Sequence, residues 1–118
     1  MKPFSDEDAS MLDSVLSIDP RVRYVGLISE DLKRVDYKMQ KGTVSYSPKF
    51  IDEVVVPILA GILRRLTEYI GEFDYCAMSY EKVKVLLYRL SDGFIIISAE
   101  PSVNVSDLYA AVEKMGLR

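Results

Sequence analysis

The chain has no histidine and a single cysteine, Cys76, in 118 residues. Without histidine, Ser-His and Cys-His nucleophilic pairs and most zinc sites have nothing to build on. A lone cysteine makes no internal disulfide, which fits a reducing compartment. Cys76 has no CxxC partner and no GxCxG elbow around it, so it reads as a core thiol. Gly26 and Gly93 stand singly, so no phosphate-cradling loop is present. Basic residues are not in excess: 15 Lys and Arg face 18 Asp and Glu, for a net charge of −3. Lys33, Arg34, Lys38, Lys41 and Arg64 are scattered, and no basic stripe exists to release counterions from nucleic acid. No apolar run reaches the ~18 uncharged residues of a membrane span. The N-terminal MKPFSDEDAS is acidic and polar, unlike a signal peptide. These absences lead to the expectation of a cytoplasmic, non-enzymatic protein with no cofactor and no metal. No Gly/Ser linker, internal repeat or low-complexity tract divides the chain, so residues 1–118 are expected to form one domain.

What the chain does have is apolar content, 49% of its residues, concentrated in one stretch. Ser47 to Gly71, SPKFIDEVVVPILAGILRRLTEYIG, predicts a long helix. Ser47 suits the N-cap, Pro48 the first helical position, and Gly71 a left-handed stop. At about 100° per residue, Ile51, Val55, Ile58, Ile62, Leu66 and Tyr69 fall on one stripe. Val56, Leu59, Leu63 and Ile70 widen it to roughly 160°, more than the ~100° a surface helix needs. Pro57 lies on the opposite, polar side with Ala60, Arg64 and Thr67, where it can curve the helix while facing water.

Around this helix the remaining elements can be read in order. Ser5 opens a first helix with Asp8 in a capping-box-like position and Met11, Leu12, Val15 and Leu16 as its buried side. Asp19-Pro20 ends it. Arg21 to Ile28 is apolar in both parities and predicts a central strand. After a turn at Ser29-Glu30-Asp31, Leu32 to Met39 alternates, with Val35, Tyr37 and Met39 inward and Arg34, Asp36 and Lys38 outward. The Glu30/Asp31 carboxylates read as solvated turn residues rather than an acid–base pair. Phe73–Tyr80, Val83–Leu90 and Phe94–Ala99 predict three more strands, with a hairpin at Ser91-Asp92-Gly93. Phe94–Ala99 should be the most buried strand. Asn104 caps a last helix striped by Val105, Leu108, Val112 and Met115 and ended by Gly116. The order α-β-β-α-β-β-β-α predicts an α+β fold. A five-stranded, mostly antiparallel sheet would carry the long helix on one face and the two short ones on the other.

Such a sheet is roughly 20 to 24 Å wide at ~4.8 Å per strand, while a helix is about 10 Å across. One long helix covers about half of a face. A second copy, meeting the flank Val56, Leu59, Leu63 and Ile70, would cover the rest as a twofold homodimer. The strand beginning at Phe73, with Tyr75, is expected at the sheet edge, where it could pair with its own mate. The surplus of tyrosines, eight in all, suits the rims of interfaces.

The run DPRVRYVGLISEDLKRVDYKM, the long helix to Gly71, and the three-strand block Phe73–Ala99 followed by a short helix resemble the roadblock/LC7 (dynein light chain-like) family, with its profilin-like core. The pattern is closest in look to small archaeal proteins of this type, from which no activity carries over. The family often has Asp-Gly in the first hairpin; here Glu30-Asp31-Leu32 stands there. The resemblance implies dimers built on the long helix and the following strand. It also implies a role as adaptor, scaffold or regulator of a small GTPase. It brings no catalytic residue, and no arginine here is carried over as a catalytic finger. The expectation is therefore a homodimeric protein-interaction module. The alternative is a small-molecule sensing domain of profilin- or PAS-like shape, which would need a pocket of ~300 Å³ or more between sheet and long helix.

Overall fold

The structure, a computed structural model, describes residues 6–41 and 56–117. Its elements are α1 (Asp6–Leu16), β1 (Val22–Ser29), β2 (Val35–Met39), α2 (Val56–Ile70), β3 (Tyr75–Ser79), β4 (Lys84–Leu90), β5 (Gly93–Ala99) and α3 (Val105–Lys114). The five strands form one sheet in the order β2-β1-β5-β4-β3, and every neighbouring pair is antiparallel. The α+β architecture and the order of elements match the sequence expectation. β5 is central and buried along nearly its whole length, and β3 is an edge.

One face of the sheet holds the larger core. Leu12, Val15 and Leu16 of α1 and Leu108 and Val112 of α3 pack there with Val25, Leu86, Tyr88, Ile95, Ile97 and Ala99. The two short helices thus share a face, as expected. A bulge makes this packing possible at its lower end. Val22 pairs with Ala99 and Tyr24 with the adjacent Ser98, so the register slips by one between them. Strand period would otherwise send Val22 and Val25 to opposite faces; with the extra residue both join this core. α3 starts where Asn104 Oδ1 accepts a hydrogen bond from the amide of Ser106 at 2.9 Å.

The opposite face carries a smaller cluster of Ile28, Leu87, Phe94 and Ile96, with Tyr24, Leu32, Val35, Phe73, Cys76 and Val85 partly buried around it. Tyr24 and Tyr37 stack on this side with ring centroids 5.6 Å apart.

Several expectations need correction. β2 begins at Val35 rather than Leu32, because Leu32 belongs to the turn with φ at 63°. That turn is tied by Ser29, whose Oγ accepts from the amide of Arg34 and donates to Asp31 Oδ1. The outward residues of β2 do not simply face water. Lys38 pairs with Asp13 of α1, and Arg34 with Asp36, while inward Tyr37 is exposed. The cause is that β2 is an edge strand beneath a helix, so its polar side meets α1. Gly93 lies in β5 rather than in the turn. A Cβ there would fall against the carbonyl oxygen of Ile28, so glycine is needed for the close approach of β1. Cys76 is half-buried on the edge strand rather than deep in the core. The readings made on Ser5, Ser47, Pro48, Ile51 and Val55, and on the side chain of Ile62, lie outside the described residues.

Candidate interaction surface

Among the described residues no group of histidine, cysteine and carboxylate side chains could hold a metal ion. No described helix is long and apolar enough to cross a membrane. The features that stand out are an apolar helix face and a bare sheet edge.

α2 ends at Ile70 and is stopped by Gly71 at φ 90°, as its sequence predicts. Pro57 is exposed, also as predicted. The described members of the stripe, Ile58, Leu66 and Tyr69, are however exposed rather than covered by the protomer's own sheet. Ile58 is 57% exposed, Leu66 48%, Tyr69 82% and Ile70 76%. These four lie within an arc of about 120° on the helix. On the other side of the helix Ala60 is half-buried, and Thr67, itself exposed, borders a cleft with Phe73 and Phe94. The expectation that Ile58 and Leu66 cover the sheet is thereby corrected. Among the described side chains of α2, Ile58, Leu66, Tyr69 and Ile70 turn outward.

Of the six residues assigned to a dimer interface, the side chains of Val56, Leu59 and Leu63 lie outside the described residues. Ile70 is on the exposed arc. Phe73 is half-buried and meets Phe94 edge-on at 6.2 Å. Tyr75 is 47% exposed and belongs to the other side of the sheet, where its ring lies 4.4 Å from that of Tyr109 on α3. The structure thus separates Phe73 and Tyr75 onto opposite faces, while both flank the backbone edge of β3.

That edge, Tyr75-Cys76-Ala77-Met78-Ser79, carries no charge and no proline. The other edge, β2, carries Asp36 and Lys38. Charged side chains and proline are the usual guards against strand addition, so the sheet has one guarded and one unguarded border. Sequence reasoning places β3 at an edge but misses this asymmetry, which is visible by comparing the two strands for charge.

The cleft beside Thr67 has a volume of about 240 Å³ and is lined by Glu30, Asp31, Leu32, Thr67, Glu72, Phe73, Arg89 and Phe94. Asp31 Oδ1 accepts from Ser29 Oγ at 2.7 Å and from the amide of Lys33 at 3.1 Å. These bonds, the hydroxyl first, hold its carboxyl below the usual carboxylate range. A second, open groove of about 500 Å³ runs between α1 and the C-terminal end, along Met11, Ser14, Met115 and Leu117. It lies on the two-helix side, away from the place expected for a sensed ligand.

No family model and no curated protein matches the sequence. Solved structures do match. MglB in a tetrameric arrangement superposes with a TM-score of 0.75 at 13% identity, over 97% of this chain and 85% of that one. The gliding protein MglB of Thermus thermophilus does so with 0.73 at 13% identity, over 90% and 80%. A Roadblock/LC7 domain from Streptomyces avermitilis matches with 0.57 at 12% identity, over 89% and 91%. The chain has the roadblock/LC7 fold. In this roadblock/LC7 frame the exposed arc of α2 and the unguarded strand β3 are adjacent in sequence, joined by residues 71–74.

Proposed function

We propose that the chain is a cytoplasmic, non-enzymatic protein-interaction module that works as a homodimer and serves as regulator or scaffold of a small GTPase. The observation that carries the dimer is the outward apolar arc of α2, Ile58, Leu66, Tyr69 and Ile70, next to the uncharged edge β3. A lone protomer leaves both in water. A twofold mate would cover the arc, with Val56, Leu59, Leu63 and Ile70 as its flank. It would also extend the sheet through β3, with Phe73 and Tyr75 on either side of the seam. About 800 Å² buried per protomer is the usual scale for a stable association of this kind. The GTPase role rests on the fold likeness and on the resemblance of the sequence pattern; the tetrameric arrangement of an MglB is a property of that protein and, through the likeness of fold, supports reading this chain as self-associating.

Light scattering at micromolar concentration tests the dimer: twice the monomer mass is expected, and monomer mass throughout would remove it. The lone cysteine gives a second measurement. In a Cys76→Ser background, Ala77→Cys places a thiol at the middle of β3, and oxidation should link two chains across the seam. The GTPase role is tested by affinity capture from the native cell in the presence of GTP or GDP. A GTPase retained in one nucleotide state is expected, and recovery of none would overturn that part alone.

A further inference from the structure

The β1–β2 turn, the C-terminal end of α2 and the β4–β5 end of the sheet close around the cleft of about 240 Å³. Its apolar lining is Leu32 and the two rings Phe73 and Phe94, set edge to face at 63°. Its charged lining is Glu30, Asp31, Glu72 and Arg89. Arg89 is the one opposing charge, and Glu72 holds it, with Nη1 donating to Oε2 at 2.8 Å. That pair cancels, leaving Glu30 and Asp31 in the lining, with Lys33 of the same turn acting on Asp31 from outside it. Lys33 shares the turn and is exposed, and Arg34 is held by Asp36 at 2.6 Å. The flanking chain adds Asp74 before β3 and Asp92 in the β4–β5 turn, so acids outnumber bases at this end of the sheet.

We propose that this cleft receives an arginine or lysine side chain presented by a protein partner, with its cation over the Phe73 and Phe94 rings and between the carboxylates of Glu30 and Asp31. A cation is attracted both by aromatic faces and by the rim. An anionic group would meet net negative charge. An apolar side chain would cover the rings but strip water from two carboxylates without pairing them. The space suits one long side chain and falls below the range of drug-sized ligand sites. The proposal rests on reading the chain as a protein-interaction module and names the chemistry of one contact that such a partner makes.

The test is a titration of the intact ¹⁵N-labelled protein, followed by amide chemical shifts, with the blocked tripeptide acetyl-Gly-Arg-Gly-amide. Its counterpart with citrulline, the uncharged isostere, is the control, and acetyl-Gly-Lys-Gly-amide the second cation. Saturable shifts at Leu32, Phe73, Arg89 and Phe94 are expected with both cationic peptides, several-fold weaker with citrulline. Glu30→Lys, at an exposed position that leaves the fold intact, should abolish them. Equal response to arginine and citrulline, shifts located elsewhere, absence of saturation, or an unchanged response in Glu30→Lys would each overturn the proposal. Light scattering on the same samples reads the oligomeric state separately, so failure here is distinguishable from failure of the dimer.

Discussion

Asp19 and Arg21 hold one another at two points: Arg21 Nε donates to Oδ1 at 3.0 Å and Nη2 to Oδ2 at 2.9 Å. The backbone amide of Arg21 adds a third bond to Oδ1 at 2.8 Å. Nη1 then reaches the carbonyl oxygen of Ser102 at 3.1 Å. The DPR triplet thus ties the α1–β1 turn to the β5–α3 connection. Arg21, by its side-chain bonds first, pulls the Asp19 carboxyl from its ordinary 3.8 down to about 2. A depressed carboxylate stabilises the fold fully above its unfolded value, and that contribution is lost as pH falls from there through about 2. Arg21→Ala should raise Asp19 toward the ordinary carboxylate range without reaching it, because the amide of residue 21 still donates to Oδ1, and a ¹³C titration of its side chain reads this. A value still near 2 in the variant would mean that the guanidinium is not the cause.

Gly93→Ala should destabilise the protein by about 2 kcal/mol or more, since the new methyl meets backbone rather than a movable side chain. Urea unfolding followed by circular dichroism measures this. Stability equal to wild type would mean that β1 can draw back from β5 without loss.

Leu66→Glu and Ile70→Glu place charge on the outward arc of α2. Neither side chain belongs to a buried cluster of the protomer, so the far-ultraviolet spectrum should stay unchanged while the scattering mass falls to that of a monomer. A dimer that persists in both variants would move the interface off this arc.

Gly71→Ala isolates a backbone effect. Nothing lies within 4 Å of the added Cβ, so only the left-handed φ of 90° opposes it. The expected cost is about 1 kcal/mol in urea unfolding. A larger loss would show that α2 and β3 depend on this stop for more than local conformation.

Tyr88 is almost fully buried, and its hydroxyl donates to Glu113 Oε1 at 2.6 Å, fastening α3 to β4. Tyr88→Phe removes that bond while keeping the ring against Tyr109, and should cost about 1.5 kcal/mol. Calorimetric melting is the check, and an unchanged midpoint would assign the tyrosine to ring packing alone.

Much of this fold is written in local pattern. FIIIS announces the central strand because a strand covered on both faces needs apolar residues in both parities. Asn104 announces α3 because its side chain competes for orphan amides. What the pattern does not carry is the phase of α2. Periodicity locates an apolar arc on a helix but does not say which neighbour consumes it, and for Ile58 and Leu66 that neighbour is not the protomer's own sheet. The bulge at Arg23 is likewise hidden, since Arg21 to Val25 reads as an unbroken strand until its partner on β5 fixes the slip. The cleft escapes for a different reason: Leu32, Phe73 and Phe94 come from three distant segments, and no spacing rule joins them.

The two borders of the sheet set how far the fold can grow. A strand edge is spent once it is paired, and a twofold pairing through β3 spends both unguarded edges in a single event. The enlarged ten-stranded sheet would then present only β2 at either end, each carrying Asp36 and Lys38. In that proposed dimer, fibre-like elongation would be closed off by this arithmetic, and any larger assembly would have to be made by stacking helices or faces, not by lengthening the ribbon.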